Sequence, residues 1–335
     1  MHILQYILKR ILFAIPQLLG IILVSFLLIK LIPGDPATLM LGPMASQASI
    51  HALREQLGLN QSIPVQFWIY LKGLFHGNLG VSWQTTRPVF DDLKLRFPAT
   101  LELVSYGLLG ALLIGVPLGV ASAYNRRGIL GRIGSLYGLA AGALPDFWFA
   151  LVLIFVFYTI LGWAPAPLGR LDIMAIPPPH VTGFYTIDSL LAGQWETFRS
   201  AVANLALPVL TLAVINAGPI LKMTQSTMQR MLESDFSAYG ELCGMPKSVI
   251  VRRAFRNSLP NVMTIVSVLY GFLIGGAVLV EIVFSWGGAG QYAVQGVLNS
   301  DLNPVMGFVL FAACFSLVFY LIVDLIYFII DPRVR

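Results

Sequence analysis

Charge is what this 335-residue chain has least of: 11% of its residues are Asp, Glu, Lys or Arg, against 57% hydrophobic. Soluble globular domains carry about 25% charged and roughly 45–50% apolar residues. With a mean hydropathy of +0.79, the shortage excludes a disordered chain and almost any soluble enzyme. Cysteine is equally scarce. Cys243 and Cys314 are far apart and share no ligand spacing, which excludes a disulfide scaffold and a thiolate metal site. Histidine is limited to His2, His51, His76 and His180, scattered over the chain. There is no phosphate loop ending in Lys-Ser/Thr, no His-Glu-x-x-His and no Gly-x-Ser-x-Gly. No internal repeat and no low-complexity tract is visible.

What the chain has is long apolar runs. A helix needs about 20 apolar residues to cross ~30 Å of hydrocarbon. Six stretches qualify, at 11–29, 101–124, 134–161, 202–221, 262–283 and 305–330. The first follows Lys9 and Arg10 but is too long for a signal-peptide core and reads as a retained anchor. The fold class expected is all-α, a polytopic transmembrane helix bundle. Thirteen of the 21 Lys and Arg residues fall at the ends and in the even-numbered loops, which makes both termini cytoplasmic by the positive-inside rule. That bias also accounts for the net charge of +5 without any nucleic-acid partner.

Five ionisable residues fall in or at the edge of spans. Lys30, Glu102 and Glu281 lie near outer ends, where water or snorkelling would serve them; Asp324 is in the inner part of span six. Asp146, in Leu144-Pro145-Asp146-Phe147-Trp148, falls near the middle of span three. An intramembrane carboxylate marks a pathway by default, so Asp146, Glu102 and Glu281 are the candidate pathway residues. Pro117 and Pro145 predict kinks in spans two and three. Gly134/Gly138/Gly142, Gly115/Gly119 and Gly271/Gly275 predict close helix approach. Outside, 31–98 holds a helical stretch near 49–57, and 162–201 holds Pro177-Pro178-Pro179 and an amphipathic run at 188–199. The plainer reading of both is a cap of interfacial helices over the outer mouth, and the sharper one a docking surface for an external partner. Inside, 222–261 predicts a helix from Asp235 capped by Ser234 and ended by Gly244. A second, basic amphipathic helix over 247–259 follows Pro246.

Several segments, in this order across the whole chain, resemble the first permease of bacterial peptide/nickel-type ABC importers. They are Ile32-Pro33-Gly34-Asp35-Pro36-Ala37, Gln56-Leu57-Gly58-Leu59, Arg96-Phe97-Pro98-Ala99-Thr100-Leu101-Glu102-Leu103 and Leu161-Gly162-Trp163. Further on come Leu207-Pro208-Val209-Leu210-Thr211-Leu212, Arg256-Asn257-Ser258-Leu259-Pro260, Gly275 through Glu281, Val283-Phe284-Ser285-Trp286 and Asp331-Pro332-Arg333. The resemblance implies a type I ABC importer permease fold in the bacterial inner membrane. Residues 1–98 would hold the first span and a long external segment, and 99–335 the transporter domain. It implies a homologous second permease, two cytoplasmic ATPases and an extracytoplasmic substrate-binding protein as partners. ATP and Mg would sit on the ATPases, with no cofactor on this chain. Peptides or related small solutes would be the cargo. The family's coupling motif falls at Asp235, Phe236, Ala238, Tyr239, Gly240, Glu241, Gly244, Met245 and Pro246. This sequence departs from the family pattern at Tyr239–Cys243, at Asp146, and in a Gly244-to-Asn257 interval one residue shorter. A secondary transporter would be expected to carry inverted repeats with interrupted helices, and an intramembrane enzyme a nucleophile with its base. Neither pattern is present.

Overall fold

A computed structural model describes residues 3–31, 36–42, 44–56 and 58–330. Of the resemblance motifs, Ile32 to Asp35, Leu57 and Asp331-Pro332-Arg333 lie outside the described residues. The described residues are helical apart from connections and one isolated bridge, Val81 to Pro88. The helices are α1 (Ile3–Leu31), α2 (Pro36–Leu41), α3 (Gln47–Gln56), α4 (Ile63–Phe75), α5 (Val89–Tyr124), α6 (Ile129–Ala141) and α7 (Asp146–Leu153). α7 runs on into a π-helical stretch, Ile154–Ile160. Then follow α8 (Tyr185–Leu191), α9 (Trp195–Leu232), α10 (Asp235–Leu242), α11 (Lys247–Gly276), α12 (Val278–Val283), α13 (Ala289–Leu298) and α14 (Leu302–Ile330). Five of them are long and apolar enough to cross a membrane: α1, α5, α9, α11 and α14. The pair α6 and α7 passes the same test together. This fits the six expected stretches, with three corrections.

Span three is broken, not kinked: its halves meet at 106°. Pro145 sits in extended conformation (φ −69°, ψ 136°) before α7. Its ring removes one helical donor and pushes the preceding residue out of the helical region, so Gly142 to Pro145 are non-helical. Pro117, Pro208 and Pro260, in contrast, lie inside unbroken helices. The predicted 247–259 helix and span five are therefore one helix, α11. The run at 188–199 is also split. Gly193 (φ +68°) ends α8, Gln194 N donates to Ser189 O at 2.9 Å, and α9 begins at Trp195.

The chain forms two compact units. One comprises Pro98–Gly288 with the chain from Ser316, and α9 is its axis. Small residues on α5 let that helix close on α9. A Cβ added at Gly107, Gly110, Gly115 or Gly119 would lie within 2.6–2.8 Å of Leu212, Ala213, Ala217 O or Thr224. The stripe is longer than the expected Gly115/Gly119 pair. Gly134 faces Ser122, Gly138 faces Lys222, and Gly218 faces Ala141. In hydrocarbon such approach is what holds helices together, since apolar burial gives no advantage over lipid. Gly271 meets Tyr320, whereas a Cβ at Gly275 would meet nothing within 4 Å. That half of the third pair has no packing role among the described residues.

The other unit comprises Ile3–Phe97 and Ala289–Phe315. Phe26 of α1 packs on Phe67 and Tyr70 of α4, and Lys30 Nζ donates to Gln66 Oε1 at 2.5 Å. At the start of α5, buried Asp92 accepts from Thr85 Oγ1 (2.5 Å) and Tyr292 OH (2.9 Å). Ser82 Oγ donates to buried Asp301 at 2.6 Å. Burial raises the Tyr292 hydroxyl to about 12, so it stays a donor to Asp92 across the physiological range.

Candidate functional site

At the C-terminal end of α9 the chain turns into α10, eight residues held as a rigid knob. Ser234 is the residue before α10, as expected, but its hydroxyl does not cap it. Ser234 Oγ and Ser237 Oγ both donate back to Met231 O, at 2.6 and 2.7 Å, which ties the knob to α9. Gly244 closes the helix at φ +73°. Met245 N donates to Gly240 O (3.0 Å) and Gly244 N to Glu241 O (2.9 Å). These two bonds are the Schellman pattern that satisfies the last carbonyls. Pro246 then opens α11 in extended conformation. Buried Gly240 lies beside Ile250 and Met245, and Ser237 is buried one turn earlier. The opposite face is bare: Tyr239 is 68% and Leu242 88% exposed, with Phe236, Ala238 and Glu241 also exposed. Behind the knob, Ala123, Met228 and Ala254 form a small core joining the ends of α5, α9 and α11.

At the other end of α9 lies a polar cluster that the sequence reading misplaced. Glu102 and Glu281, expected to meet water, are buried at 1% and 0% exposure. Glu102 accepts Arg170 Nη2 at 2.6 Å, Thr186 N at 3.0 Å and Thr186 Oγ1 at 2.7 Å. The Arg170 guanidinium also lies 3.5 Å from the Tyr185 ring centroid and donates to Gly183 O. Glu281 accepts Thr100 Oγ1 at 2.5 Å and stands against Gly288, where a Cβ would be 2.4 Å from its carboxylate. Trp286 Nε1 donates to Ala99 O at 2.9 Å. One turn of α5 is thus clamped from two sides. Arg170 is the partner that sequence reasoning missed; its distance along the chain left no local signal.

The segment that follows Arg170 is a strap drawn along α9. Asp172 N donates to Ser200 Oγ (2.9 Å) and Thr197 Oγ1 to Ile176 O (3.2 Å). Asp188 closes it, accepting Val181, Thr182 and Gly183 main-chain N–H groups and Thr182 Oγ1, at 2.7–3.2 Å. Burial alone would raise the Asp188 carboxyl, but these four donors outweigh it and hold it below the usual carboxylate range. Its stabilisation is therefore present above the unfolded carboxyl's pKa, about 3.9, and is lost as the pH falls through the lower folded value. Asp188→Asn is expected to cost about 2–3 kcal/mol at neutral pH. Thermal melts of both proteins at pH 7 and pH 3 would show the gap narrowing in acid.

Asp146 is the first residue of α7, half-buried at the break. The break is level with Gly218, the 24th residue of α9, about 35 Å along that helix at 1.5 Å per residue. Asp324 is half-buried on α14. No group of metal-ligating side chains occurs among the described residues.

Fold and site together define a multi-pass helical membrane protein with a short knob helix at the C-terminal end of α9. Residues 115–335 match the family described as binding-protein-dependent transport system inner membrane component. Residues 3–104 match the N-terminal region described for the membrane components of such systems. The chain is 42% identical over 316 residues to a probable D,D-dipeptide transport system permease protein of Escherichia coli, covering 94% of this chain and 93% of that one. It is 35% identical to the dipeptide transport system permease protein of Alkalihalophilus pseudofirmus over 333 residues, and to the di/tripeptide permease protein of Pseudomonas aeruginosa over 334. Both comparisons cover 99% of each chain. The chain belongs to the binding-protein-dependent transport system inner membrane component family. It is a multi-pass inner-membrane permease, a transport subunit that works with partner subunits.

Proposed function

We propose that the chain is one half of the channel of an ATP-driven importer for di- or oligopeptides or related small solutes. The other half is a homologous permease. Two cytoplasmic ATPases bind and hydrolyse ATP with Mg, and an extracytoplasmic binding protein delivers the cargo. Both termini lie in the cytoplasm, as does α10. The observation that carries this reading is the α10 knob: an exposed Phe236-Tyr239-Leu242 face on a helix whose other side is packed into α9 and α11. ATP-driven closure of the motor subunits would move Asp235, Phe236, Ala238, Tyr239, Gly240, Glu241, Gly244, Met245 and Pro246 as one body. The peptide class is taken from the names of the relatives. The test is uptake of labelled dipeptide by proteoliposomes holding the affinity-purified complex, its binding protein and ATP. ATP-dependent uptake is the expected result. Uptake by this chain alone on an ion gradient would overturn the reading.

We assign Glu102 and Glu281 to the scaffold, because their acceptor positions are filled from within, and retain Asp146 as the pathway residue. A carboxylate at a helix break favours an amine-bearing cargo. Asp146→Asn is expected to lower uptake of free-amine dipeptides several-fold while leaving N-acetylated ones unchanged. Equal uptake profiles for variant and parent would remove Asp146 from the pathway.

A further inference from the structure

A loop in water turns its polar groups outward and its aliphatic ones inward. The strap between the π-helical stretch and α8 does the reverse. Several of its polar groups are spent inward, Arg170 on Glu102, Asp172 N on Ser200, Ile176 O on Thr197, and the 181–183 main chain on Asp188, while the Asp172 and His180 residues stand exposed on either side of the tip. Its aliphatic side chains stand out: Leu168 is 60% exposed, Ile173 80%, Met174 92%, Ile176 75% and Val181 66%. From Ile173 to Pro179 no residue is ionisable. Trp163 (74%) stands where the strap begins and Trp195 (64%) where α9 resumes, a placement typical of interfacial aromatic belts. The Asp172–Ser200 and Asn204–Asp172 bonds hold the strap beside the second and third turns of α9, not above its end. Exposed aliphatic residues also stand at its borders with the membrane-spanning segments, Ile160 at the end of the π-helical stretch and Val202 on α9.

We infer that this strap is a membrane hook, its Ile173-Met174-Ile176 tip immersed in the headgroup–acyl boundary of the leaflet at the N-terminal end of α9. The occupant is lipid. A binding protein that docks and departs would leave an aliphatic patch of this kind in water between visits, which soluble surfaces avoid. Transient interfaces are moreover no more apolar than ordinary surface. The tethers make the hook stiff, so it fixes the depth of the Glu102–Arg170 clamp relative to the bilayer surface. The inference does not depend on the cargo or on ATP coupling.

The test places a nitroxide at Ile173→Cys and, separately, Met174→Cys, with Cys243 and Cys314 replaced by Ser, in the assembled transporter in phosphatidylethanolamine/phosphatidylglycerol nanodiscs. Collision with O2, which partitions into lipid, is compared with collision with water-soluble nickel-EDDA. O2 collision several-fold above nickel collision at both positions is expected. Nickel-dominated collision would place the tip in water, and low collision with both would place it under protein. Either result overturns the inference.

Discussion

Arg170→Ala is expected to lower the apparent Tm of the purified permease by on the order of 10 °C, the largest stability effect of any single substitution outside the glycine stripe. The reason is asymmetric. With Arg170 present, Glu102 has a cation at 2.6 Å and two donors from Thr186. Without it, a carboxylate at 1% exposure is left buried with no counter-ion. Removing one partner of a buried pair costs about 3–5 kcal/mol, whereas replacing both with well-packed neutral groups is often nearly neutral. Arg170→Met combined with Glu102→Gln should therefore recover most of the lost Tm, because Gln keeps an acceptor for Thr186 and carries no charge. Arg170→Lys should recover less than the pair, since an ammonium lacks the planar fork that reaches Glu102 and Gly183 O while lying on Tyr185. Equal melts for Arg170→Ala and the parent would show that the clamp contributes nothing to stability.

That clamp also marks where the sequence stops being legible. The spans could be read because apolar length is a local property, and hydrocarbon forces every backbone donor into a helix. The α10 turn could be read because Gly244 and Pro246 each carry a backbone constraint of their own. The break at Pro145 could not be told from a kink. Pro117, Pro208 and Pro260 are also prolines in apolar runs, yet their helices continue. What differs at the break is the packing, since Gly218 of α9, far along the chain, leaves room for Ala141 and Gly142 to approach closely. Glu102 and Glu281 were misplaced for the same reason. Their nearness to helix ends suggested water, while their actual partners, Arg170, Thr186, Thr100 and Gly288, are distant in sequence or indistinguishable from filler. The glycines at 107 and 110 were overlooked because neither has another glycine four residues away, although they meet α9 as closely as Gly115 does.

The second large effect concerns transport, not stability. Gly244→Val is expected to reduce peptide uptake by at least about tenfold and to abolish substrate-stimulated ATP hydrolysis, with the complex still eluting intact. At φ +73° a β-branched residue is strained regardless of space, by about 1–2 kcal/mol, and a cost of that size changes a conformational ratio by roughly 5–30-fold. Space is not the difficulty, since a Cβ at Gly244 would meet nothing within 4 Å. The strain is relieved by releasing the two bonds that end α10, Met245 N to Gly240 O and Gly244 N to Glu241 O. Once they open, the Phe236-Tyr239-Leu242 face is no longer held at a fixed angle to α9 and α11. The core behind it, Ala123, Met228 and Ala254, is untouched, which is why assembly should survive while force transmission fails. Gly244→Asn supplies the control, because Asn tolerates the left-handed region through local hydrogen bonding. Uptake by the Asn variant should stay within about twofold of the parent, the few tenths of a kcal/mol of a tolerated αL residue. If the Val variant transports normally, α10 does not couple to the motor; if Asn fails as badly as Val, the glycine is needed for something other than its conformation.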